Sequence, residues 1–343
     1  VAFSYRNLGR NGRLGNQLFQ IAGTIGKAYK EGDPSQAFFP AWEYAQFFSL
    51  PQSHYPDQIP LDAQDSGKEF LQDLALFSDC HDYIRRVFRP SELARDQVLA
   101  MFSDLATSEG HKTAVHVRRG DYTGIGYWFP LCPPHYYVAA MEEIAGEDPD
   151  TRFLIFSDDP HWCTQQFGDI RNVTVVSQDI ENTVEREVAE FALMSSCDAF
   201  VISNSTFSWW AAYLSSSHTV ITPDRWYNEG LSHLDHRVFT PTSWRQRSID
   251  PIGPYVPSHV SVTESLNGLI CTDRRTNSVH HLNSGATLIF ELCTGSNPDV
   301  RIAEIVRKVL EASGLPDNTI DVPASLHELY QRQIVADANA LAG

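Results

Sequence analysis

The stretch Thr113-Ala114-Val115-His116-Val117-Arg118-Arg119-Gly120-Asp121-Tyr122 passes from a β-branched, apolar run into a dense polar cluster. Thr113 to Val117 reads as a strand, whose pleat sends His116 and Arg118 to one side and Val117 to the other. Four further short runs of similar character lie downstream, at Arg152 to Phe156, Asn172 to Val176, Ala199 to Ser203 and His218 to Thr222. Helical patterns lie between them. Tyr136 to Ile144 and Glu185 to Cys197 read as helices, the latter with Val188, Phe191, Ala192 and Ser195 on one face, and Thr206 to Leu214 is a third. Strands alternating with helices predict a parallel sheet built from βαβ units, an α/β fold.

Polar clusters stand at the carboxyl ends of three of these strands: His116 to Asp121, Ser157-Asp158-Asp159, and Ser203-Asn204-Ser205-Thr206. That edge of an open α/β sheet is where ligands bind, so segments distant in sequence are expected to share one crevice. Arg118 offers a planar fork of donors suited to phosphate oxygens, a match lysine lacks. The competing reading is that Arg118 and Arg119 simply pair with surface carboxylates. In the third cluster, small hydroxyl residues lead into a helix whose free N–H groups and positive dipole end suit an anion. A plain Ser/Thr helix cap satisfies the same pattern. Arg118 and this helix start could together stabilise a diphosphate leaving group.

Upstream, the loop Gly9 to Gly15 precedes a helical run from Asn16 to Tyr29, and a mixed region reaches Phe88; together they read as a smaller, irregular α/β domain. Downstream, Asp250-Pro251-Ile252-Gly253-Pro254-Tyr255-Val256-Pro257 reads as a linker. Beyond it, Val260 to Cys271 and Ser278 to Leu282 read as short strands. Asn283 is expected to cap a helix ending at Gly295, and Ile302, Ile305, Val306 and Val309 stripe another.

The 343 residues carry a net charge of −17, with 42% hydrophobic and 20% charged residues. Such a chain folds as a globular protein and repels nucleic acid and anionic membranes, so its few cations gain meaning where they cluster. Six cysteines, Cys80, Cys132, Cys163, Cys197, Cys271 and Cys293, are scattered singly and read as reduced core residues. No run approaches the roughly 20 apolar residues of a membrane span, and no signal pattern opens the chain, so a cytoplasmic location is expected. Asp148-Pro149-Asp150 formally matches a metal-holding Asp-x-Asp but precedes a strand rather than following one, and the adjacent His280 and His281 are poor joint ligands. No metal is expected. Trp209 and Trp210 read as core. The chain has no nucleophile elbow, Walker loop or dinucleotide fingerprint, which argues against hydrolase, NTPase and dehydrogenase functions.

At these residues the sequence resembles the bacterial α-1,2-fucosyltransferases of glycosyltransferase family 11. Four blocks carry the resemblance: Gly12-Arg13-Leu14-Gly15-Asn16-Gln17-Leu18-Phe19-Gln20; His116 to Tyr122; Phe156-Ser157-Asp158-Asp159 with Trp162; and Ile202-Ser203-Asn204-Ser205-Thr206-Phe207-Ser208-Trp209-Trp210-Ala211-Ala212. They span roughly residues 1 to 248. The resemblance implies a GT-B-type pair of Rossmann-like domains, residues 1–105 on the acceptor side and 106–250 on the donor side. It further implies a fucosyltransferase that uses GDP-β-L-fucose as donor substrate with no cofactor, transfers with inversion and without metal, and glycosylates a glycan or glycoconjugate. By position, Arg118 would bind the diphosphate, His116 with Asp158 or Asp159 the guanine, and Ser205 and Thr206, beside Asn204 and Phe207, the phosphate oxygens. Gly15, Asn16 and Gln17 would line the fucose and acceptor side. Inversion in one step needs a base for the acceptor hydroxyl. Asp121 is the nearest carboxylate; its alternative role is to orient Arg118. The loop Thr123 to Tyr127 has no carboxylate, although some related fucosyltransferases of other families carry their base there, and Asp33 to Phe70 is shortened where acceptor-side residues are expected.

The tail lies outside that family. His281-Leu282-Asn283 through Gly295, followed by Arg301 to Val306, resembles a PqqD-like winged-helix domain over residues 257–338. The resemblance implies a small α+β domain that captures a peptide along a sheet edge. DNA reading is disfavoured by the acidic balance of residues 251–343, and a structural appendage stands beside peptide capture. The competing functional class is a peptide-recognition protein in which the transferase portion fucosylates the recruited segment or serves as its scaffold.

Overall fold

A computed structural model of the chain describes residues 1–67, 70–177, 183–249, 260–265, 268–273, 278–282, 286–287 and 290. Two compact units emerge, one formed by Val1–Cys132 with Tyr136–Ser248, the other containing the described residues from Val260 onward.

The first unit begins with β1 (Phe3–Ser4), α1 (Leu14–Lys30), β2 (Ala37–Phe38) and β3 (Gln64–Asp65). The three strands pair in parallel in the order β2-β1-β3 and are only two residues long. The weight of this region therefore falls on α1, which is buried along most of its length. Its last turn is anchored by Lys27, whose ammonium donates to the Ser66 carbonyl at 2.7 Å, and by Lys30, which reaches the Ala75 carbonyl at 2.7 Å. Both cations also suit the negative end of the helix.

Next come α2 (His81–Val87) and α3 (Glu92–Thr107). The periodic reading of the sequence did not anticipate α3, although its buried Ala94, Val98 and Phe102 recur at every fourth position. The main sheet then follows as β4 (Lys112–Val117), α4 (Pro134–Glu147), β5 (Arg152–Ser157), α5 (Pro160–Phe167), β6 (Val173–Val175), α6 (Val184–Ser195), β7 (Ala199–Val201), α7 (Thr206–Leu214), β8 (Thr219–Pro223) and β9 (Arg245–Arg247). All six strands are parallel, in the order β6-β5-β4-β7-β8-β9. The five expected strands and three expected helices of this region are present within a few residues. The strand read as Ala199 to Ser203 leaves the ladder after Val201, which frees Ser203 for the crevice. The added edge strand β9 is polar and escaped the apolar pattern; Arg245 ties it to Glu143 of α4 at 3.0 Å. α5 is likewise additional, begun by Pro160 behind the cap residue Asp159.

The core between α1, α7 and the main sheet is aromatic. Trp209 and Trp210 are fully buried, which supports the packing role over sugar stacking. Phe19 of α1 lies 4.6 Å and 4.9 Å from their ring centres and also meets Phe77 and Phe239 at 6.1 and 6.0 Å. Cys80, Cys132, Cys163, Cys197 and Cys271 are buried free thiols, in line with the reduced-core reading; Cys293 lies outside the described residues.

In the second unit, β10 (Val260–Ser265), β11 (Gly268–Asp273) and β12 (Ser278–Leu282) form an antiparallel sheet in that order. The run from Val260 to Cys271 is thus two strands, not one: Gly268, at φ +136°, opens the second. The helix expected from Asn283 to Gly295 lies largely outside the described residues. The stripe from Ile302 to Val309 and the winged-helix and peptide-capture expectations for residues 257–338 fall there with it. Among the described residues no helix is long and apolar enough to cross a membrane.

Truncating Phe19→Ala removes the ring that joins α1 to both tryptophans. It is expected to cost about 3–5 kcal/mol of unfolding free energy, read from the shift in urea midpoint at constant m-value.

Candidate functional site

The crevice is assembled where β4, β5 and β7 end. His116, one residue before the end of β4, is buried, and its Nδ1 lies 2.8 Å from the Ser203 hydroxyl. Burial, and then the charge of Arg118, push its pKa down to about 3, so the imidazole is neutral at physiological pH and serves as a hydrogen-bonding group. Phe207 lies against its ring at 5.7 Å.

The two arginines that come next part company. Arg118 donates to Asp121 at 2.6 Å and to Asp158 at 2.7 Å, with its guanidinium 5.4 Å from the Tyr122 ring centre. Arg119 turns towards α5: it donates to Asp159 at 3.2 Å and stacks 3.9 Å from the Trp162 ring centre. Ion pairing, the competing reading of these arginines, therefore describes contacts that both make. Arg119 is additionally clamped by its stack, and its backbone N–H donates to Asp158 at 2.8 Å. Asp158 bridges both residues with its two oxygens and lies so close that a Cβ on Gly120 would fall 2.5 Å from Oδ2. Asp159 is occupied from two directions, by Arg119 and by the Trp162 backbone N–H, which it caps at 3.1 Å.

After β7, Ser203 meets His116, and Asn204 braces the loops: its amide donates to the Pro130 and Trp226 carbonyls at 3.0 and 3.2 Å, and its carbonyl accepts from Tyr122 at 3.1 Å. Ser205 precedes α7 in extended conformation without a side-chain cap bond, so the plain capping alternative is not realised. The first-turn N–H groups of an α-helix have no intrahelical partner. Here they face the amino end of α1. Asn16 Oδ1 accepts from Thr206 at 3.1 Å and from Gln72 at 2.9 Å, and a Cβ on Gly15 would fall 2.5 Å from the Thr206 carbonyl carbon. Only glycine permits that approach. Gln17 is turned inward, accepting from the Trp42 indole and donating to the Gly12 carbonyl at 2.9 Å.

The structure thus gathers His116, Arg118, Asp121, Asp158, Ser205, Thr206, Phe207, Gly15 and Asn16 around one crevice. Gln17, Asn204 and Asp159 spend their side chains on internal bonds. Asp148-Pro149-Asp150 lies before β5, at the opposite edge, where Asp148 accepts from the Asp150 backbone at 3.3 Å and pairs with His111 at 3.4 Å. Among the described residues no group of three or more His, Cys, Asp or Glu could hold a metal ion. Sequence reasoning missed Tyr44 and Glu187, which share a 2.6 Å hydrogen bond. It also missed Gln72, which accepts from Tyr227 at 3.3 Å. Glu187 carries one faint signal, lying one helical turn before Phe191 on an apolar face.

Residues 27–244 match glycosyl transferase family 11, and the chain belongs to that family. The block Gly12 to Gln20 lies ahead of the matched region. Among curated relatives, the O-antigen biosynthesis glycosyltransferase WbnK of Escherichia coli is 29% identical over 167 residues, 46% of this chain and 54% of that protein. An alpha-1,2-colitosyltransferase of Escherichia coli is 28% identical over 172 residues, 48% of this chain and 58% of the relative. The human galactoside alpha-(1,2)-fucosyltransferase 1 is 26% identical over 245 residues, 61% of this chain and 65% of the relative. The chain spans about half the length of the first two. The crystal structure of fucosyltransferase NodZ from Bradyrhizobium shares 13% identity at a TM-score of 0.45, covering 63% of this chain and 94% of that one.

Gly15→Ala forces its methyl group into the backbone of Thr206 and Phe207. It is expected to destabilise by about 1–3 kcal/mol. Gly146→Ala in α4, where a Cβ meets nothing within 4 Å, is expected to be neutral or stabilising by up to about 1 kcal/mol. Thermal unfolding of the two variants checks the contrast.

Proposed function

We propose that the chain is an inverting, metal-independent glycosyltransferase that moves L-fucose from GDP-β-L-fucose to a hydroxyl of a glycan or glycoconjugate, forming an α-1,2 linkage to a galactoside. The observation that carries this reading is the placement of the Arg118 guanidinium at the carboxyl end of β4 within a family 11 chain, in one crevice with the amino end of α7. Two sources of positive potential, a planar fork and a row of backbone N–H groups, suit the two phosphates of a nucleoside diphosphate. The fold reading that goes with it is a GT-B-type pair, residues 1–105 facing the acceptor and 106–250 the donor.

In this mechanism the acceptor oxygen attacks the anomeric carbon from the face opposite the diphosphate, and the glycosyl–phosphate bond breaks with its electron pair leaving on GDP. Arg118 and the first-turn N–H groups of α7 meet the charge that develops on the leaving oxygens. Because the donors are already oriented, they cost no reorganisation during the reaction. Arg118 meets a phosphate with the N–H donors that its two carboxylate bonds leave over, or by releasing Asp121, the more exposed of the two partners. His116, Asp158 and Asp159 are assigned to the guanine side, with Asp159 acting through Arg119. Asn16 and Gly15 are assigned to the fucose side, with Gln17 as their support.

The test is incubation with GDP-fucose and a galactoside panel in EDTA, with GDP-colitose run alongside and product linkage read by NMR. GDP release with an α-1,2 product is expected; absence of release and of donor binding under all conditions overturns the reading. Arg118→Ala is expected to lose about 3 kcal/mol of transition-state stabilisation, roughly 100-fold in kcat/KM, whereas near-normal turnover would place the leaving group elsewhere.

A further inference from the structure

One half-buried carboxylate beside the crevice, Glu187, is not among the residues assigned to the donor above. Glu187 lies in the first turn of α6, a helix that runs back to the start of β7 and so begins at the carboxyl edge of the sheet. Phe191, one turn further on the same face, meets Phe207 at 5.4 Å, and Phe207 meets His116 at 5.7 Å. Glu187 therefore lies at the carboxyl-edge end of the face of α6 that packs on Phe207, the residue that meets His116. From the other side, the Tyr44 hydroxyl donates to Glu187 Oε2 at 2.6 Å, its direct hydrogen-bond partner among the described residues. Tyr44 in turn packs 5.6 Å from Trp42, whose indole donates to Gln17 of α1.

The neighbouring carboxylates are committed elsewhere. Glu190 pairs with Arg186 at 3.1 Å and accepts from Ser177 at 2.8 Å, and Asp121 pairs with Arg118. The charges that act on Glu187 are Arg13 and Arg118, which favour its ionised form, and Glu43, which opposes it; Arg186 and Glu190 stand beside it on α6. Burial outweighs the Tyr44 hydrogen bond and the two arginines, so its pKa is raised. A carboxylate made more basic than one in water suits general-base catalysis.

We propose that Glu187 is the base of the transfer reaction, taking the proton of the acceptor hydroxyl as that oxygen bonds to the anomeric carbon. The glycosyl–phosphate bond breaks, GDP leaves with the electron pair, and the proton ends on the Glu187 carboxylate and passes to water. Tyr44 is a positioning residue that holds the carboxylate towards the crevice. This inference rests on the transferase reading above.

The test uses the full chain and compares GDP-fucose binding by calorimetry with the pH dependence of kcat/KM. Because the base acts ionised, wild-type activity falls on the acid side as Glu187 protonates. Glu187→Gln is expected to bind GDP-fucose within about threefold of wild type, lose kcat by roughly 100-fold or more, and lack that acid limb. Glu187→Asp retains a limb at reduced kcat. Tyr44→Phe removes a hydrogen bond to the ionised form and moves the limb to higher pH. Normal turnover by Glu187→Gln, or an acid limb that persists there and vanishes in Asp121→Asn, overturns the proposal. Loss of donor binding in Glu187→Gln also overturns it, by making the residue part of the donor site or fold. A wild-type chain that binds no GDP-fucose would instead mark failure of the transferase reading itself.

Discussion

The parallel alignment of β4 with β5 on one side and β7 on the other is the constraint that creates the crevice. Val117 pairs with Ser157, and Val115 with Val201, so three strands end at the same edge of the sheet within a few residues of each other. The groups just past each strand are therefore delivered to one place: the Arg118 guanidinium from β4, the Asp158 carboxylate from β5, and the Ser203 hydroxyl and the start of α7 from β7. A slip of register by one residue would turn Arg118 and His116 to the opposite face of the sheet. The buried alternation of β4, with His116 facing Ser203 and Val117 in the core, resists such a slip.

The second determinant is how the cations are held in a chain whose net charge is strongly negative. Arg118 and Arg119 are adjacent, yet one faces the crevice and the other stacks on Trp162, so a doubled arginine supplies one charge to each side. Asp158 bridges the pair, and the desolvation that a partly buried guanidinium suffers is offset by charged hydrogen bonds. The same burial keeps His116 neutral, so on the crevice side of the β4 edge the positive charge comes from Arg118 and not from the imidazole at physiological pH. At the far wall, the Gly15 backbone lies directly against α7. That contact makes the amino-terminal region, despite strands only two residues long, a fixed part of the crevice rather than an appendage.

Much of this was legible in the sequence, for identifiable reasons. The central strands β4, β5, β7 and β8 are buried on both faces and read as apolar runs, and α7 matches its expected range because Ser205 and Leu214 bound an uninterrupted helical pattern. The polar clusters were visible because they end such runs. The elements that stayed hidden lack a period: the two-residue strands and short turns of the first 80 residues, and the charged edge strand β9. The regular spacing of Ala94, Val98 and Phe102 marks α3 only faintly, because the exposed Leu99 and Met101 interrupt its apolar stripe. Gln17, Asn204 and Asp159 look like ligand contacts from their residue types, but in the fold their side chains are occupied by Trp42, Pro130 and Arg119. Tyr44 and Glu187 lie 143 positions apart, and nothing local in either segment announces that they meet.

The central claim is that Arg118 grips a diphosphate, and a calorimetric cycle of two ligands and two proteins tests it most directly. GDP and GMP are titrated into the full chain and into Arg118→Ala. Charged hydrogen bonds to the second phosphate are each worth about 1.5–3 kcal/mol, so the wild-type protein is predicted to prefer GDP over GMP by roughly 10- to 100-fold. That preference should collapse in the variant. Equal affinity for the two nucleotides in the wild type, or a preference that survives the loss of Arg118, would contradict the account.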